Sequence, residues 1–168
     1  MSRPAGRLSL LGLLAGLGLL MLGGCGFTPL YAAPGVAPGL SAIETLSPEG
    51  RSGALLREAL DDALAHDPTI APRWRLEVGL KESRIARGRR SDGVASRYEY
   101  VVTAEWSLTS KADGTVALKG VSRSEVTFDR ADQPYAAIAA QQDAEQKVAD
   151  ELARKIQIDL AVWMLKQG

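Results

Sequence analysis

Three stretches of alternating polar and apolar residues constrain the fold of this chain more than any other feature. Apolar side chains occupy every second position over residues 74–80 and 98–108, and do so less regularly over 115–128. Such alternation is typical of strands that bury one face. Asp-Gly pairs at 92–93 and 113–114 separate the stretches, and Asp-Gly favours tight hairpins because both residues tolerate positive φ. The pattern predicts an antiparallel meander of three strands, with a bulge at Gly120 in the third.

Two helices and a short first strand complete the predicted fold. Four leucines between positions 55 and 64 recur at helical spacing and predict an amphipathic helix from about Ser52 to His66. The segment from Tyr135 to Gln167 lacks Gly and Pro and carries an apolar stripe that begins at Ile138. A weak alternation over Leu40–Thr45 predicts the first strand. We therefore predict an α+β fold in which two helices pack on one face of a four-stranded mixed sheet, in the order β-α-β-β-β-α.

The first 24 residues have the organisation of a secretory signal. Arg3 and Arg7 precede an uncharged apolar run from Leu8 to Leu22, and the segment contains no acidic residue. The run of about 15 residues is shorter than the roughly 20 that a helix needs to cross a bilayer. It ends in Gly23-Gly24, directly before the single cysteine of the chain, Cys25. We predict that residues 1–24 are a lipoprotein signal peptide that is removed.

The lone cysteine is the expected site of lipid attachment. Leu22-Gly23-Gly24-Cys25 resembles the bacterial lipobox, in which the cysteine becomes the acylated first residue of the mature protein. Lipidation explains why an exported protein has an unpaired cysteine in an oxidising compartment. Several acyl chains on that cysteine give stable membrane anchoring. The alternatives are a plain signal peptide that leaves a free thiol, or an uncleaved anchor. In enterobacterial sorting rules, Asp directly after the lipidated cysteine is a retention signal. The residue at this position is Gly26, so by resemblance to those rules the outer membrane is favoured.

The mature chain is expected to consist of a tether and one domain. Prolines at 29, 34 and 38 stand among small residues, so residues 25–39 are predicted to form an extended, lipidated tether. Residues 40–168 are predicted to form a single domain. Without residues 1–24 the chain has 144 residues, with 18 basic and 20 acidic side chains and a net charge of −2.

The composition argues against an enzyme and against a nucleic-acid-binding protein. The full chain has 20 basic and 20 acidic side chains, which is unlike a basic nucleic-acid-binding domain. Its one histidine, His66, is expected in the last turn of the first helix, where it interacts with the helix dipole. Asp61 and Asp62 are helix neighbours that point about 100° apart, so they form no evident acid/base pair. We expect no catalytic residue, no metal site and no cofactor besides the covalent lipid on Cys25.

A basic cluster at the predicted hairpin tip is the main candidate for binding. The ten residues from Lys81 to Arg90 carry a net charge of +4; we call the basic cluster the five cations Lys81, Arg84, Arg87, Arg89 and Arg90. A charged tip that keeps a strand edge soluble is the plain interpretation. The functional interpretation is an anion site, because guanidinium groups bind phosphates and carboxylates bidentately. On an outer-membrane protein, the abundant multivalent anion is lipopolysaccharide.

The start of the mature chain resembles a known family. The heptad from Cys25 to Tyr31, CGFTPLY, is similar to the start of alphaproteobacterial lipopolysaccharide-assembly lipoproteins, the LptE family. The similarity continues through Arg75-Leu76, the Asp92-Gly93 hairpin, Tyr98–Thr103 and the last helix. The resemblance implies a lipoprotein that sits as a plug inside a large outer-membrane β-barrel of the LptD type. It also implies help in assembling that barrel and in delivering lipopolysaccharide to the outer leaflet.

The resemblance also implies two positions for lipopolysaccharide binding. Family members use one basic residue at the equivalent hairpin and one on the last helix. The hairpin position falls near Arg89 and Arg90, although the strict match is Ser91, and Arg87 belongs to the same cluster. The helix position falls on Lys147, which at 100° per residue lies roughly opposite the apolar stripe and at i,i+4 spacing from Glu151. A lysine on a solvated helix face also needs no function.

Other functions remain to be separated from the one that the resemblance implies. An auxiliary lipoprotein of an ABC-type lipid transport system has the same export signal, and co-purification with a large β-barrel would distinguish the two. A membrane-tethered hydrolase would need a nucleophile and a base in one pocket, for which His66 is the sole imidazole available.

Overall fold

The alternating segments form one sheet, and helices cover one of its faces. The structure, a computed structural model, describes residues 34–89, 93 and 95–167. In chain order, the elements of the described residues are α1 (Val36–Ser41), β1 (Ile43–Leu46), α2 (Arg51–Ala63), β2 (Trp74–Arg89), β3 (Ala95–Ser110), β4 (Val116–Asp129) and α3 (Pro134–Leu165). The predicted α+β class with a four-stranded mixed sheet is confirmed.

The strands lie side by side in chain order. β1 pairs with β2 in parallel, Ile43 opposite Trp74, while β2–β3 and β3–β4 pair antiparallel. Even-numbered residues of β2, β3 and β4 point towards the helices, and we call that side the helix face. Odd-numbered residues point away from the helices, and we call that side the open face. The period of two in the sequence thus assigns each side chain of the meander to a face.

The core lies between the helix face and the helices. Most buried side chains of the sheet are those that the alternation predicts, including Leu76, Val102, Ala104, Trp106 and Leu108. Val101, on the open face, is an exception that is also buried. α2 contributes Leu56 and Leu60, and α3 contributes Val148, Leu152, Ile156 and Leu160. The amphipathic helices bury their apolar stripes here because burial of each large aliphatic side chain is worth about 1.5–3 kcal/mol.

A third helix stands where a tether and a strand were predicted. Residues 36–39 belong to α1 rather than to an extended tether, and β1 begins at Ile43 rather than at Leu40. Val36 and Leu40, four residues apart, are both buried, as one face of a helix requires. Pro38 lies in the first turn, where its missing N–H removes no helical hydrogen bond. The sequence pattern was wrong here because a helix of six residues, fewer than two turns, is too short to display a period.

α2 ends three residues earlier than predicted. Ala65 adopts a left-handed φ of 50°, and the amides of Ala65 and His66 donate to the carbonyls of Asp62 and Asp61 at 3.1 and 2.9 Å. This pair of bonds is a Schellman motif, which satisfies the last carbonyls of a helix. His66 therefore lies beyond the helix and not in its last turn.

Gly120 does not form the predicted bulge. It pairs in register with Trp106, and the register shift between β3 and β4 lies at Leu108 and Thr109. A Cβ on Gly120 would lie 2.2 Å from Cζ2 of Trp106, so the glycine makes room for the indole ring. A close approach of this kind and a bulge both select glycine, which is why the sequence alone could not separate them.

α3 extends beyond the rest of the helical layer. The first residue of α2, Arg51, contacts α3, because its Nε donates to Glu145 Oε2 at 2.6 Å. Most residues in the first three turns of α3, from Pro134 onwards, are exposed. Ile138, which was predicted to be part of the buried stripe, is 54% exposed. None of the helices in the described residues is long and apolar enough to cross a membrane.

Candidate functional site

The strand geometry divides the basic cluster between two faces of the sheet. Lys81 and Arg87 occupy odd positions of β2 and lie on the open face, whereas Arg84 lies on the helix face. A run of cations in the sequence is thus two separate groups in the fold. No ligand held on one side of the sheet can contact all of its members.

The cations of the open face are held by carboxylates on β3. Arg87 Nε lies 2.6 Å from Glu99 Oε2, and Lys81 forms an ion pair with Glu105. The hydrogen bond from Arg87 lowers the pKa of the Glu99 carboxyl and raises the pKa of the Arg87 guanidinium. An incoming phosphate must therefore compete with a carboxylate that already neutralises Arg87.

Arg84 has neutral partners in the described part of the chain. Its Nη1 donates to Oε1 of Gln141 on α3 at 3.1 Å, and its Cζ lies 5.4 Å from the centroid of the Tyr98 ring. Amide and ring fix the guanidinium in place without cancelling its charge. Among Lys81, Arg84 and Arg87, the cations of the cluster whose side chains are described, Arg84 is thus the one best prepared to receive an anion.

A chain of polar contacts closes the inner end of this region. Gln141 Nε2 donates to Glu145 Oε1 at 2.8 Å, and Glu145 accepts from Arg51 in turn. Tyr100 donates its hydroxyl proton to Glu82 Oε2 at 2.5 Å. Burial, followed by the hydrogen bond to Glu82, raises the pKa of Tyr100 to about 12. Tyr100 remains a neutral hydrogen-bond donor at physiological pH, and both carboxylates have partners.

Several predicted site residues lie outside the described residues. Cys25, Arg90 and Ser91 belong to this group, as does the proposed signal peptide. Arg89 ends β2, and its backbone is paired with that of Ala95, which places it at the hairpin end of the sheet.

Lys147 lies on the exposed side of α3, as predicted. Its Nζ lies 2.7 Å from Asp143 Oδ2, and not against Glu151 as the i,i+4 spacing suggested. Glu151 instead accepts from Lys155 at 2.6 Å and from Ser124 at 2.7 Å. Because α3 covers the helix face and Arg87 lies on the open face, the sheet separates Arg87 from Lys147. The structure does not bring these two predicted ligand-binding residues together.

The residues around Arg84 were not predicted as a site. Tyr98, Phe128 and Gln141 line the same recess as Arg84, and the first two were assigned simply to a buried face. Applying the strand period to the charge run would have separated Arg84 from its neighbours. The wall supplied by Gln141 depends on how far α3 extends beyond α2, which no local pattern encodes.

Metal-ligating side chains are dispersed over the described part of the chain. The described ranges contain no group of three or more His, Cys, Asp or Glu side chains that could hold a metal ion. Nδ1 of His66 is buried and has no hydrogen-bond partner among the residues described.

The sequence matches a family model over most of its length. Residues 40–160 match the model of the LptE, lipopolysaccharide-assembly family. No curated protein sequence matches the chain significantly.

Solved structures agree with this family assignment. A candidate lipoprotein from Caulobacter crescentus CB15 is 50% identical, with a TM-score of 0.71 over 80% of this chain and 98% of its own. The minor lipoprotein from Acinetobacter baumannii is 11% identical, with a TM-score of 0.51 over 71% of this chain and 88% of its own, and supports the fold alone. The family match and the Caulobacter relative lead to one conclusion: the chain belongs to the LptE family of lipopolysaccharide-assembly proteins.

Proposed function

We propose that this protein is an outer-membrane lipoprotein, anchored through lipid on Cys25, that plugs and helps assemble the β-barrel lipopolysaccharide translocon of the LptD type. It assists delivery of lipopolysaccharide to the outer leaflet from the periplasmic side and from within the barrel lumen. The family match over residues 40–160 carries this proposal. The protein acts by binding and assembly, without a covalent step.

The proposed ligand contacts are the basic residues Arg87, Arg89, Arg90 and Lys147. Arg87 and Arg89 lie at the end of β2 farthest from Trp74, beside which the described chain begins at Pro34. At about 3.3 Å per residue, a 16-residue strand spans roughly 50 Å. A lipid on Cys25, nine positions before Pro34, would attach the protein at the end opposite to the proposed contact, which suits a protein that reaches from a membrane surface into a barrel.

Because Arg87 is paired with Glu99, the ligand proposal can be tested with two variants that should change lipopolysaccharide binding in opposite directions. We expect Arg87→Ala to weaken lipopolysaccharide binding by the full-length protein. Glu99→Gln removes the competing negative charge and should strengthen lipopolysaccharide binding. Arg57→Ala, an exposed arginine on α2, is the matched control and should bind as the wild type does. Equal binding by all four proteins, measured on immobilised lipopolysaccharide, would remove Arg87 from the mechanism.

The anchor and the partner are tested in cells. Metabolic labelling should place palmitate on the wild type and not on Cys25→Ala. The labelled protein purified from outer membranes should carry a large β-barrel with it. Recovery instead with an inner-membrane ABC-type transporter would favour the auxiliary role and reject the plug.

A further inference from the structure

The helix face carries a groove that none of the proposed contacts above uses. Two recesses, of about 290 and 430 Å³, share Arg84, Phe128 and Gln141 and so form one continuous groove. This size is within the range of small-molecule sites. The groove begins at Glu82 and Tyr100 and opens towards Pro134, at the start of α3.

The groove exists because the helices end at different levels. α2 begins at Arg51, beside Tyr100 through Ser52, so the sheet beyond that level has α3 as its cover. Ala137 and Gln141 of α3 form one wall. The other side of the groove is open.

The floor of the groove is aromatic. The rings of Tyr98 and Phe128 lie 5.7 Å apart between centroids, with an angle of 33° between their planes, and both are half-buried. Such a pair offers a flat apolar surface to which the C–H face of a sugar ring can pack.

Arg84 gives the groove a local site for an anionic group, although the lining also contains carboxylates. Arg84 uses one N–H group on Gln141 and keeps further donors in a planar array. Two of the four lining carboxylates are paired with arginines, Glu145 with Arg51 and Asp129 with Arg97 at 2.8 Å. Glu82 accepts from the neutral Tyr100 hydroxyl and keeps its charge, and Asp132 also lines the groove, so an anion is expected on the outward donors of Arg84 and not elsewhere in the groove. Arg130 adds a second, exposed cation to the lining.

We propose that this groove binds an anionic sugar of lipopolysaccharide, with the sugar ring against Tyr98 and Phe128 and its phosphate or carboxylate on Arg84. Gln141 lies where it can exchange hydrogen bonds with sugar hydroxyls. The inference rests on the proposed function, because that function supplies the ligand. It adds a site on the opposite side of the sheet from Arg87, and it assigns to that site the saccharide part of the ligand.

The test compares intact with deacylated lipopolysaccharide, which keeps the sugars and acidic groups but lacks the acyl chains. The full-length protein in mild detergent should bind both. Loss of a charge-assisted hydrogen bond should weaken binding of the deacylated form about tenfold in Arg84→Gln. Tyr98→Ala should weaken it too, because the stacking surface is lost. Arg123→Gln removes an exposed arginine of the open face, paired with Glu125, and should bind as the wild type does.

The outcomes separate this inference from the function on which it rests. If the wild type binds neither form, the lipopolysaccharide-binding part of the proposed function fails. If it binds intact lipopolysaccharide but not the deacylated form, or if Arg84→Gln binds normally, the groove proposal alone is overturned. Thermal unfolding of each variant identifies any that fail to fold, and Arg84→Lys, which keeps the charge, should then retain part of the affinity.

Dephosphorylation of the deacylated ligand identifies the anionic group. Binding that is lost with the phosphates assigns phosphate to Arg84. Binding that survives and still depends on Arg84 assigns the carboxylate of an acidic sugar. Survival without dependence on Arg84 overturns the proposal.

Discussion

Gly120 and Trp106 illustrate how single residues of this sheet are matched. Trp106 is 4% exposed, and its Nε1 donates to the buried hydroxyl of Ser122 at 3.2 Å. The indole ring passes directly over Gly120, where any side chain would occupy the same space. Gly120 therefore contributes to stability because the absence of a side chain leaves space for the indole ring of Trp106.

Replacing Gly120 with Ala should destabilise the protein. The new methyl group would lie 2.2 Å from the indole, so the ring must move and its hydrogen bond to Ser122 must lengthen. We expect the free energy of unfolding to fall by about 1–3 kcal/mol, together with a shift in tryptophan emission. Gly79→Ala is the control: the atom nearest to its new Cβ would be Glu105 O, at 3.8 Å, and the free energy of unfolding in urea should change by at most about 0.5 kcal/mol. Equal effects at both sites would contradict the steric explanation.

The ion pair of Arg87 predicts a pKa change at Glu99. Because Arg87 lowers the pKa of Glu99 in the folded protein, the pair stabilises the fold above the unfolded pKa of this carboxyl. That contribution disappears as the pH falls through the lowered folded value. Arg87→Ala should raise the pKa of Glu99 towards its ordinary value of 4.5, as followed by carboxyl-carbon NMR during an acid titration. Arg123→Ala should raise it less, since Arg123 acts without a hydrogen bond; the reverse order would count against the pairing.

The helices of this fold are positioned by their ends as much as by their apolar faces. The C-terminal end of α2 is fixed by the Schellman motif around Ala65, a residue whose Cβ disfavours the left-handed conformation that it adopts. The N-terminal end of α3 projects beyond its neighbours and forms the wall of the groove. Both ends lie where the periodic pattern weakens.

Ala65→Gly should therefore stabilise the protein. Glycine adopts the φ of 50° without a steric cost, and we expect the free energy of unfolding to rise by about 1 kcal/mol. The control is Ala54→Gly, an exposed position inside the same helix, which should lower stability by roughly 0.5–1 kcal/mol. Thermal and denaturant unfolding would measure both. A loss of stability at Ala65 would mean that the left-handed conformation does not persist in solution.

The sequence predicts the longer elements of this fold better than its shorter ones. β2, β3, α2 and α3 each span enough residues to display a period of 2 or 3.6, and their buried faces agree with that period. α1 has six residues and its place depends on contact with the far end of α3, where a Cβ on Gly39 would lie 2.7 Å from Met164 Sδ. Likewise, the charge run was visible as a cluster, but its division between two faces appears only when strand geometry is applied. Tertiary contacts decide what local patterns leave open.

At the scale of the whole molecule, the two ends of the sheet differ in character. One end holds Pro34, Trp74 and the β3–β4 turn, where the Lys111 amide donates to Arg73 O at 3.0 Å. The other end holds the basic hairpin and the open groove. The nine Cα–Cα steps from Cys25 to Pro34 can span at most roughly 30 Å, so a lipid on Cys25, as proposed, would keep the first end near the membrane.

This polarity predicts different distances from a membrane. A fluorophore at Ala112→Cys, in the β3–β4 turn, should transfer energy to acceptor-labelled lipids more efficiently than one at Ala86→Cys near the hairpin tip. Both positions are exposed. The measurement uses the lipidated, full-length protein in vesicles, and Cys25→Ala should reduce transfer from both positions. Equal transfer from the two positions would contradict an end-on attachment.

The pairing of Arg87 with Glu99 also governs how binding responds to ionic strength. The counterion of Arg87 is a covalent part of the chain, so a phosphate that binds there displaces a carboxylate and releases no dissolved anion. If dissolved anions associate with Arg84, which lies beside a neutral amide, a ligand that binds there must displace them. Because exchange with dissolved ions is what makes binding depend steeply on salt, added salt should release a ligand from Arg84 before it releases one from Arg87. One sheet thus presents two arginines of the same sequence run with different sensitivities to the surrounding electrolyte.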